Sequence, residues 1–367
     1  MTKPATIKNT TRPRRTRPGS LAIWFAGSLA LLCLPGCQSL DSMLGARRNP
    51  AAPTPSNRND GRAPAIGSVD SSRANSANAA VVRAQSAEAS GDYEKALEEF
   101  ERAIETNPRL TVAYLGAGDM YREKGDYNTA EQRYSSAAKL EPKNFDAQYL
   151  HGLTLQLMAR FEDAIRAYIR ALIIRPDDFN ANLNLGTAYL QLNEPRQALP
   201  YAERAVKIDG QNAAARSNLG AIYANLGRHE DAIIEFQQAA ELTQLTGPLL
   251  LNLANSLNKV GRHDEMVNTL EQLARTEPTA VCYERLGVGY FNLRRYDTAL
   301  SSFRKALEID PNYYPALNGV GVCLLNNWMF SQQQNRAAHD EGMRALKRSL
   351  QIERDQPAIL ELVGRYK

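Results

Sequence analysis

Small and apolar positions in this chain recur at a fixed interval of 34 residues. Gly118, Gly152, Gly186 and Gly220 are followed by Ala254 with no insertion or deletion between them. Twelve residues after each stands a second conspicuous position, held by Ala130, Ala164, Ala198, Ala232 and Met266. Within each period the apolar residues fall three and four apart, the spacing of one helix face. A period of this length predicts a helix–turn–helix unit that cannot bury its apolar face alone and must stack on its neighbours. The expected fold class is all-α, an α-solenoid of about eight such units. Such an array offers a long surface and no catalytic pocket, so binding leads over chemistry.

Counted from Ala77, the units start at Thr111, Phe145, Phe179, Ala213 and Gly247; a one-residue deletion then moves the next starts to Ala280 and Tyr314. In the first helix a small residue recurs at Ala84, Gly118, Gly152, Gly186, Gly220, Ala254, Gly287 and Gly321. In the second, a small–aromatic–small trio appears as Ala96/Phe100/Ala103, Ala130/Tyr134/Ala137, Ala164/Tyr168/Ala171, Ala232/Phe236/Ala239 and Ala299/Phe303/Ala306. Small residues let two helix axes approach, and the aromatic fills the gap beside them. Gly91, Gly125, Gly227 and Gly261 stand where the first helix ends and a left-handed residue is needed. Pro108, Pro142, Pro176, Pro278 and Pro311 are expected to start the next helix. Over about 280 residues these positions resemble the tetratricopeptide repeat family. The resemblance implies a right-handed stack of helix pairs that binds protein segments.

The array is expected to span residues 77–356, with a short capping helix over 357–367 carrying Ile359, Leu360 and Val363. Its ends depart from the pattern, as solenoid ends do. Arg83 takes a normally apolar position of the first repeat. In the last, Gly321 and Gly342 are 21 residues apart where 12 is usual, an insertion of nine residues that includes Trp328, Met329 and Phe330.

Charge changes the picture only at the N-terminus. The chain carries a net +4, but residues 1–36 hold six basic side chains and no acidic one. Without them 38 basic groups face 40 acidic ones, a balance of −2, and the repeats show no basic stripe of the kind nucleic acid requires. Residues 1–36 read as a targeting segment, with an apolar run from Leu21 to Leu34 too short to span a bilayer comfortably. The run closes with Leu34-Pro35-Gly36-Cys37, which resembles the lipobox of bacterial lipoproteins, with Pro35 where Ser or Ala is usual. That resemblance implies cleavage before Cys37 and lipidation of its thiol. Gln38 after the cysteine favours the outer membrane where two membranes exist. Residues 37–76 are expected to form a disordered tether, rich in Pro, Ala, Ser, Asn, Gly and Arg. Its reach is roughly 34 Å as a flexible coil.

Candidate binding chemistry lies on the first helices. Asn184, Asn218 and Asn252 are spaced at the repeat period and line up along one face, with Asn255 nearby and Arg285 taking the same position in the next repeat. This resembles the asparagine ladder of O-linked N-acetylglucosamine transferase, and implies a grip on an extended peptide backbone. An amide side chain suits that work because it both donates and accepts. Val82, Gly116 and Leu150 hold the position in the first three repeats, so that end is expected to be more apolar. The paired cations of the chaperone-tail carboxylate clamp are not matched.

No Walker motif, nucleophile elbow or dinucleotide fingerprint occurs, and no His, Cys and carboxylate set has the spacing of metal ligands. No cofactor, metal or catalytic residue is assigned. Cys282 and Cys323 read as small buried apolar residues, their separation in the repeat frame arguing against a disulfide. The expected function is a non-enzymatic scaffold of the cell envelope, lipid-anchored through Cys37 and facing the periplasm or exterior. Its expected partners are envelope proteins or peptides, with no nucleic acid and no small-molecule substrate. The alternative is a non-catalytic accessory subunit delivering substrate to an envelope enzyme or assembly machine.

Overall fold

The computed structural model of the chain describes residues 68–366. The expected targeting segment, Cys37 and most of the tether lie outside the described residues. Within them are seventeen α-helices and no strand, an all-α solenoid of helix pairs in two compact units. Residues 68–262 hold α1 (Ser68–Ala89), α2 (Tyr93–Thr106), α3 (Thr111–Glu123), α4 (Tyr127–Leu140), α5 (Phe145–Leu157) and α6 (Phe161–Ile174). The same unit continues with α7 (Phe179–Gln191), α8 (Pro195–Ile208), α9 (Ala213–Asn225), α10 (His229–Leu242) and α11 (Gly247–Lys259). The unit from residue 263 onward holds α12 (His263–Thr276), α13 (Ala280–Asn292), α14 (Tyr296–Ile309), α15 (Tyr314–Phe330), α16 (Arg336–Ile352) and α17 (Pro357–Arg365).

The helix ends follow from side-chain chemistry. Asp92 and Asp126 accept hydrogen bonds from the Lys95 and Thr129 backbone N–H groups, and Asn144, Asp178 and Asn212 cap α5, α7 and α9 in the same way. Each supplies an acceptor to an N–H group that the helix leaves unpaired. At the other end of the first helices, Gly91, Gly125, Gly227 and Gly261 adopt φ of +77 to +79°, a conformation that a Cβ disfavours. Ala159, Asn193 and Arg294 hold the equivalent turn positions at φ of +56 to +61°. The prolines behave differently from expectation. Pro108, Pro142 and Pro176 stand in the turn, three residues ahead of the helix start. A capping residue must precede the first helical residue, which pushes the proline back into the turn.

Two further boundaries move. The opening helix reaches back to Ser68 and takes in residues 68–76, which composition had placed in the tether. Ala74 is half-buried and continues the buried series Ala77, Ala80, Ala84 and Ala87 backwards by one turn. Seven of the nine residues of the insertion near the C-terminus lengthen two helices, each of 17 residues against the 13 and 14 usual for first and second helices, and the other two lie in the turn between them. Trp328 at its centre donates Nε1–H to the Gln333 carbonyl and packs 4.7 Å from the His339 ring and 5.8 Å from Tyr366. At the first end Arg83 donates from Nε and Nη2 to Glu99, a carboxylate only 7% exposed, so a polar pair replaces the apolar contact of inner repeats.

Packing within a pair rests on one contact repeated along the chain. The aromatic of the second helix lies flat over the small residue of the first. A Cβ built on Gly118 would stand 2.7 Å from the Tyr134 ring, on Gly152 2.8 Å from Tyr168, and on Gly220 2.8 Å from Phe236. Tyr134, Tyr168 and Phe236 are fully buried, and each such ring contributes about 1.5–3 kcal/mol through the surface it removes from water. The fourth repeat lacks this contact, because Ala202 replaces the aromatic and a Cβ on Gly186 would meet nothing nearer than 3.4 Å. The two glycines should therefore answer oppositely to the same substitution. Gly220→Ala is expected to lower stability by about 1–3 kcal/mol through overpacking. Gly186→Ala should raise it by about 0.5–1 kcal/mol, since alanine loses less backbone freedom in a helix. Denaturant unfolding of both variants checks this, and equal losses would contradict the contact.

Candidate functional site

Asn184 on α7, Asn218 on α9 and Asn252 on α11 occupy the same place on successive first helices. All three lie in the unit that ends at residue 262. They are less open than their alignment suggested, with Asn218 and Asn252 each only 7% exposed and Asn184 half-buried. Each amide can reach one repeat back. Asn184 Nδ2 donates to the Tyr149 hydroxyl at 3.1 Å. Asn218 Nδ2 donates to Thr187 Oγ1 at 2.7 Å, with the Leu183 carbonyl at 3.4 Å. Thr187 passes the chain on by donating to that same carbonyl at 2.9 Å.

The series then breaks. Where α7 carries Thr187, α9 carries Ala221, so the hydroxyl that would receive the Asn252 amide is missing. Asn252 Nδ2 is closed off from solvent without a partner, as is Ser256 Oγ one turn further along α11. Asn218 Oδ1 is also unpartnered. One free acceptor and one free donor thus stand at the same position of adjacent repeats. Asn255 sits half-buried three residues beyond Asn252.

Towards the N-terminal side the ladder position itself is apolar, as expected from Val82, Gly116 and Leu150. Its surroundings are polar, which is a correction. Tyr134 donates its hydroxyl to Asp119 Oδ1 at 2.7 Å, and Arg122 lies 3.7 Å from the same carboxylate. Tyr168 donates to Gln156 Oε1 at 2.8 Å. Tyr149 stacks on Phe145 at 5.7 Å and leans on Tyr168 at 5.9 Å. Burial, with the charge of Asp178 behind it, pushes the Tyr149 phenol above its ordinary value, so it stays protonated and keeps its oxygen free to accept from Asn184. The sequence held a signal for these pairs. A tyrosine hydroxyl in the second-helix trio is matched by Asp119 or Gln156 on the first helix, whereas Phe236 faces Ala221 and Ala224 at the same places.

Arg285 belongs to the other unit. There its guanidinium lies 3.4 Å from Glu284, a carboxylate 3% exposed whose pKa burial raises and Arg285 draws back. Cys282 and Cys323 are buried free thiols. Among the described residues no group of three or more His, Cys, Asp or Glu side chains is placed to hold a metal ion. Nor, among them, is any helix long and apolar enough to cross a membrane.

Family profiles for the tetratricopeptide repeat match residues 77–110, 118–158, 149–212, 183–244 and 280–313. The chain belongs to the tetratricopeptide repeat family. Tetratricopeptide repeats form protein-interaction scaffolds, and the candidate site just described lies on their first helices. No curated protein matches the chain. Similar solved structures include a tetratricopeptide repeat protein from Parabacteroides merdae ATCC 43184, 18% identical over 68% of this chain and 99% of its own, with a TM-score of 0.49. Pseudomonas aeruginosa pilF is 19% identical over 56% of this chain and 94% of its own, with a TM-score of 0.48. PilW, a widely conserved type IV pilus biogenesis factor, is 20% identical over 55% and 94%, with a TM-score of 0.47.

Proposed function

We propose that this tetratricopeptide protein is a lipid-anchored scaffold of the cell envelope that holds an extended segment of a partner protein along α7, α9 and α11. The observation that carries the binding part is the orphaned pair at one repeat position, Asn218 Oδ1 as acceptor and Asn252 Nδ2 as donor. A buried polar group without a partner costs about 1–3 kcal/mol, and a ligand that supplies the partner recovers that cost. Peptide units offer N–H and C=O groups whatever their side chains, so different units of one extended segment complement a donor and an acceptor one repeat apart. Both atoms are shut away from solvent, and the segment reaches them once the amides turn about their last torsion. Asn184, by contrast, is engaged by Tyr149 and orients the wall of the site.

Anchoring rests on the sequence from Leu34 to Cys37. Cleavage before Cys37 and acylation of its thiol would leave a tether between the membrane and the repeats, and would place the binding face in the periplasm or outside the cell, with the outer membrane preferred. The partners are then envelope proteins.

Peptides selected from a random library on the wild-type protein provide the test of binding. Replacing Asn218 and Asn252 together by Ala removes two ligand bonds at ~0.5–1.5 kcal/mol each. The dissociation constant of a selected peptide should rise about 5-fold to 150-fold. Unchanged affinity would place the site elsewhere on the repeats. Anchoring is tested separately by metabolic labelling with a fatty acid. The wild-type protein should take up label and partition with membranes, and Cys37→Ala should do neither. An unlabelled wild-type protein whose mature end lies away from Cys37 would refute the anchor.

A further inference from the structure

The lengthened helix near the C-terminus creates a cavity that the peptide site does not use. A first helix of the usual 13 residues would end at Asn326, but α15 runs four residues further, to Phe330. The extension stands over the turn that leads into α14 and bounds an open-sided cavity of about 350 Å³. Leu300 and Cys323 supply apolar surface, and the Phe330 and Tyr296 rings stand 5.9 Å apart at one side. Burial pushes the Cys323 thiol up to about 12, so it stays protonated and acts as part of the apolar lining.

The polar lining includes an unpaired donor. Asn326 is 5% exposed, lines the cavity, and has an Nδ2 with no hydrogen-bond partner. The first turn of α14 also contributes. Its N-cap is Arg295, whose side chain makes no capping bond, as is also so at Arg160, Glu194 and Arg228 in earlier repeats. N–H groups left over at a helix start, together with the helix dipole, favour an anion. Arg294 adds an exposed guanidinium at the rim, held at φ +61° where four other repeats place glycine. Asp297, in the first turn of α14, is the one carboxylate on the lining; of the two arginines there, Arg295 lies 3.8 Å from Asp264, which leaves Arg294 to face an incoming anion.

We infer that this cavity binds a small carboxylate with an apolar body. The carboxylate accepts from Asn326 Nδ2 and the first-turn N–H groups of α14 under the Arg294 guanidinium. The aliphatic or single-ring body fills the space between Leu300, Cys323 and Phe330. The volume is at the small end for ligand sites and suits one side chain or one ring. A charge-assisted bond to guanidinium is stronger than a neutral one, so the charge and not only the shape should be read.

The test follows the Asn326 side-chain amide resonance of the ¹⁵N-labelled full chain through titration with 4-methylpentanoate at millimolar concentrations. The expected result is a saturable shift, with none for 4-methylpentanol, which has the same body and no charge. Two variants keep the fold while removing a donor. Arg294→Gly relieves a left-handed backbone position, and Asn326→Leu removes an unpaired buried amide. Each should unfold no earlier than wild type on heating and should bind the acid at least about tenfold more weakly, the loss of one charge-assisted or buried bond; for Asn326→Leu the Thr298 backbone amide reports instead. An acetylated tripeptide ending in leucine, with its carboxylate free or amidated, separates the sources. Tighter binding of the free tripeptide than of 4-methylpentanoate assigns a chain end, and weaker binding assigns a free acid. Absence of any saturable shift, equal shifts with the alcohol, or wild-type affinity in both variants would overturn the inference.

Discussion

A ring laid over a missing Cβ is the contact on which the rest of this structure depends. In the second, third and fifth repeats the second helix drives a buried aromatic against a glycine of the first, at distances that leave no room for a methyl group. The contact sets how closely those pairs approach; in the fourth repeat Gly186 faces Ala202 instead, and small residues at the same two places keep the pairs stacking at the 34-residue interval. Residues 34 apart in sequence therefore come to one face. Without that regularity Asn184, Asn218 and Asn252 would share only a spacing.

Once aligned, the face is governed by hydrogen-bond supply. Each ladder amide can turn back to a hydroxyl of the preceding repeat, and two find one: Tyr149 for Asn184 and Thr187 for Asn218. The replacement of Thr187 by Ala221 one repeat on ends the supply, and the unpaired groups collect at Asn218, Asn252 and Ser256. The same amide is thus a structural tie in one repeat and available in the next. That difference is decided by one hydroxyl, and it narrows the proposed site to α9 and α11, which the repeat period alone could not do.

Much of this was legible in the sequence, for a physical reason. Helix pairing depends on residue size at fixed spacing, and size is written directly in Gly118, Tyr134 and their repeats. Left-handed turns were equally plain where glycine marks them, but not at Ala159 or Arg294, where the turn is imposed by the neighbouring pairs. The prolines misled because Asn144 and Asp178 must cap the helices that follow them. The start at Ser68 was hidden by a composition poor in large apolar residues, whereas alanine spacing alone suffices to pack a helix. Burial of the ladder amides could not be read from their alignment, since it depends on what the preceding repeat offers. Nor could the cavity beside α14, because a nine-residue insertion does not declare how it divides between two helices and the turn joining them.

The central claim is that the repeats read a peptide backbone through Asn218 and Asn252. The most direct measurement is a paired scan of one bound peptide, replacing each side chain by alanine in one series and methylating each backbone nitrogen in the other. Backbone reading predicts that N-methylation at one or two positions weakens binding about tenfold or more, through a lost bond and an unpaired buried amide, while alanine replacements change it little. Harmless N-methylation beside large alanine effects would contradict the account and assign recognition to side-chain pockets instead.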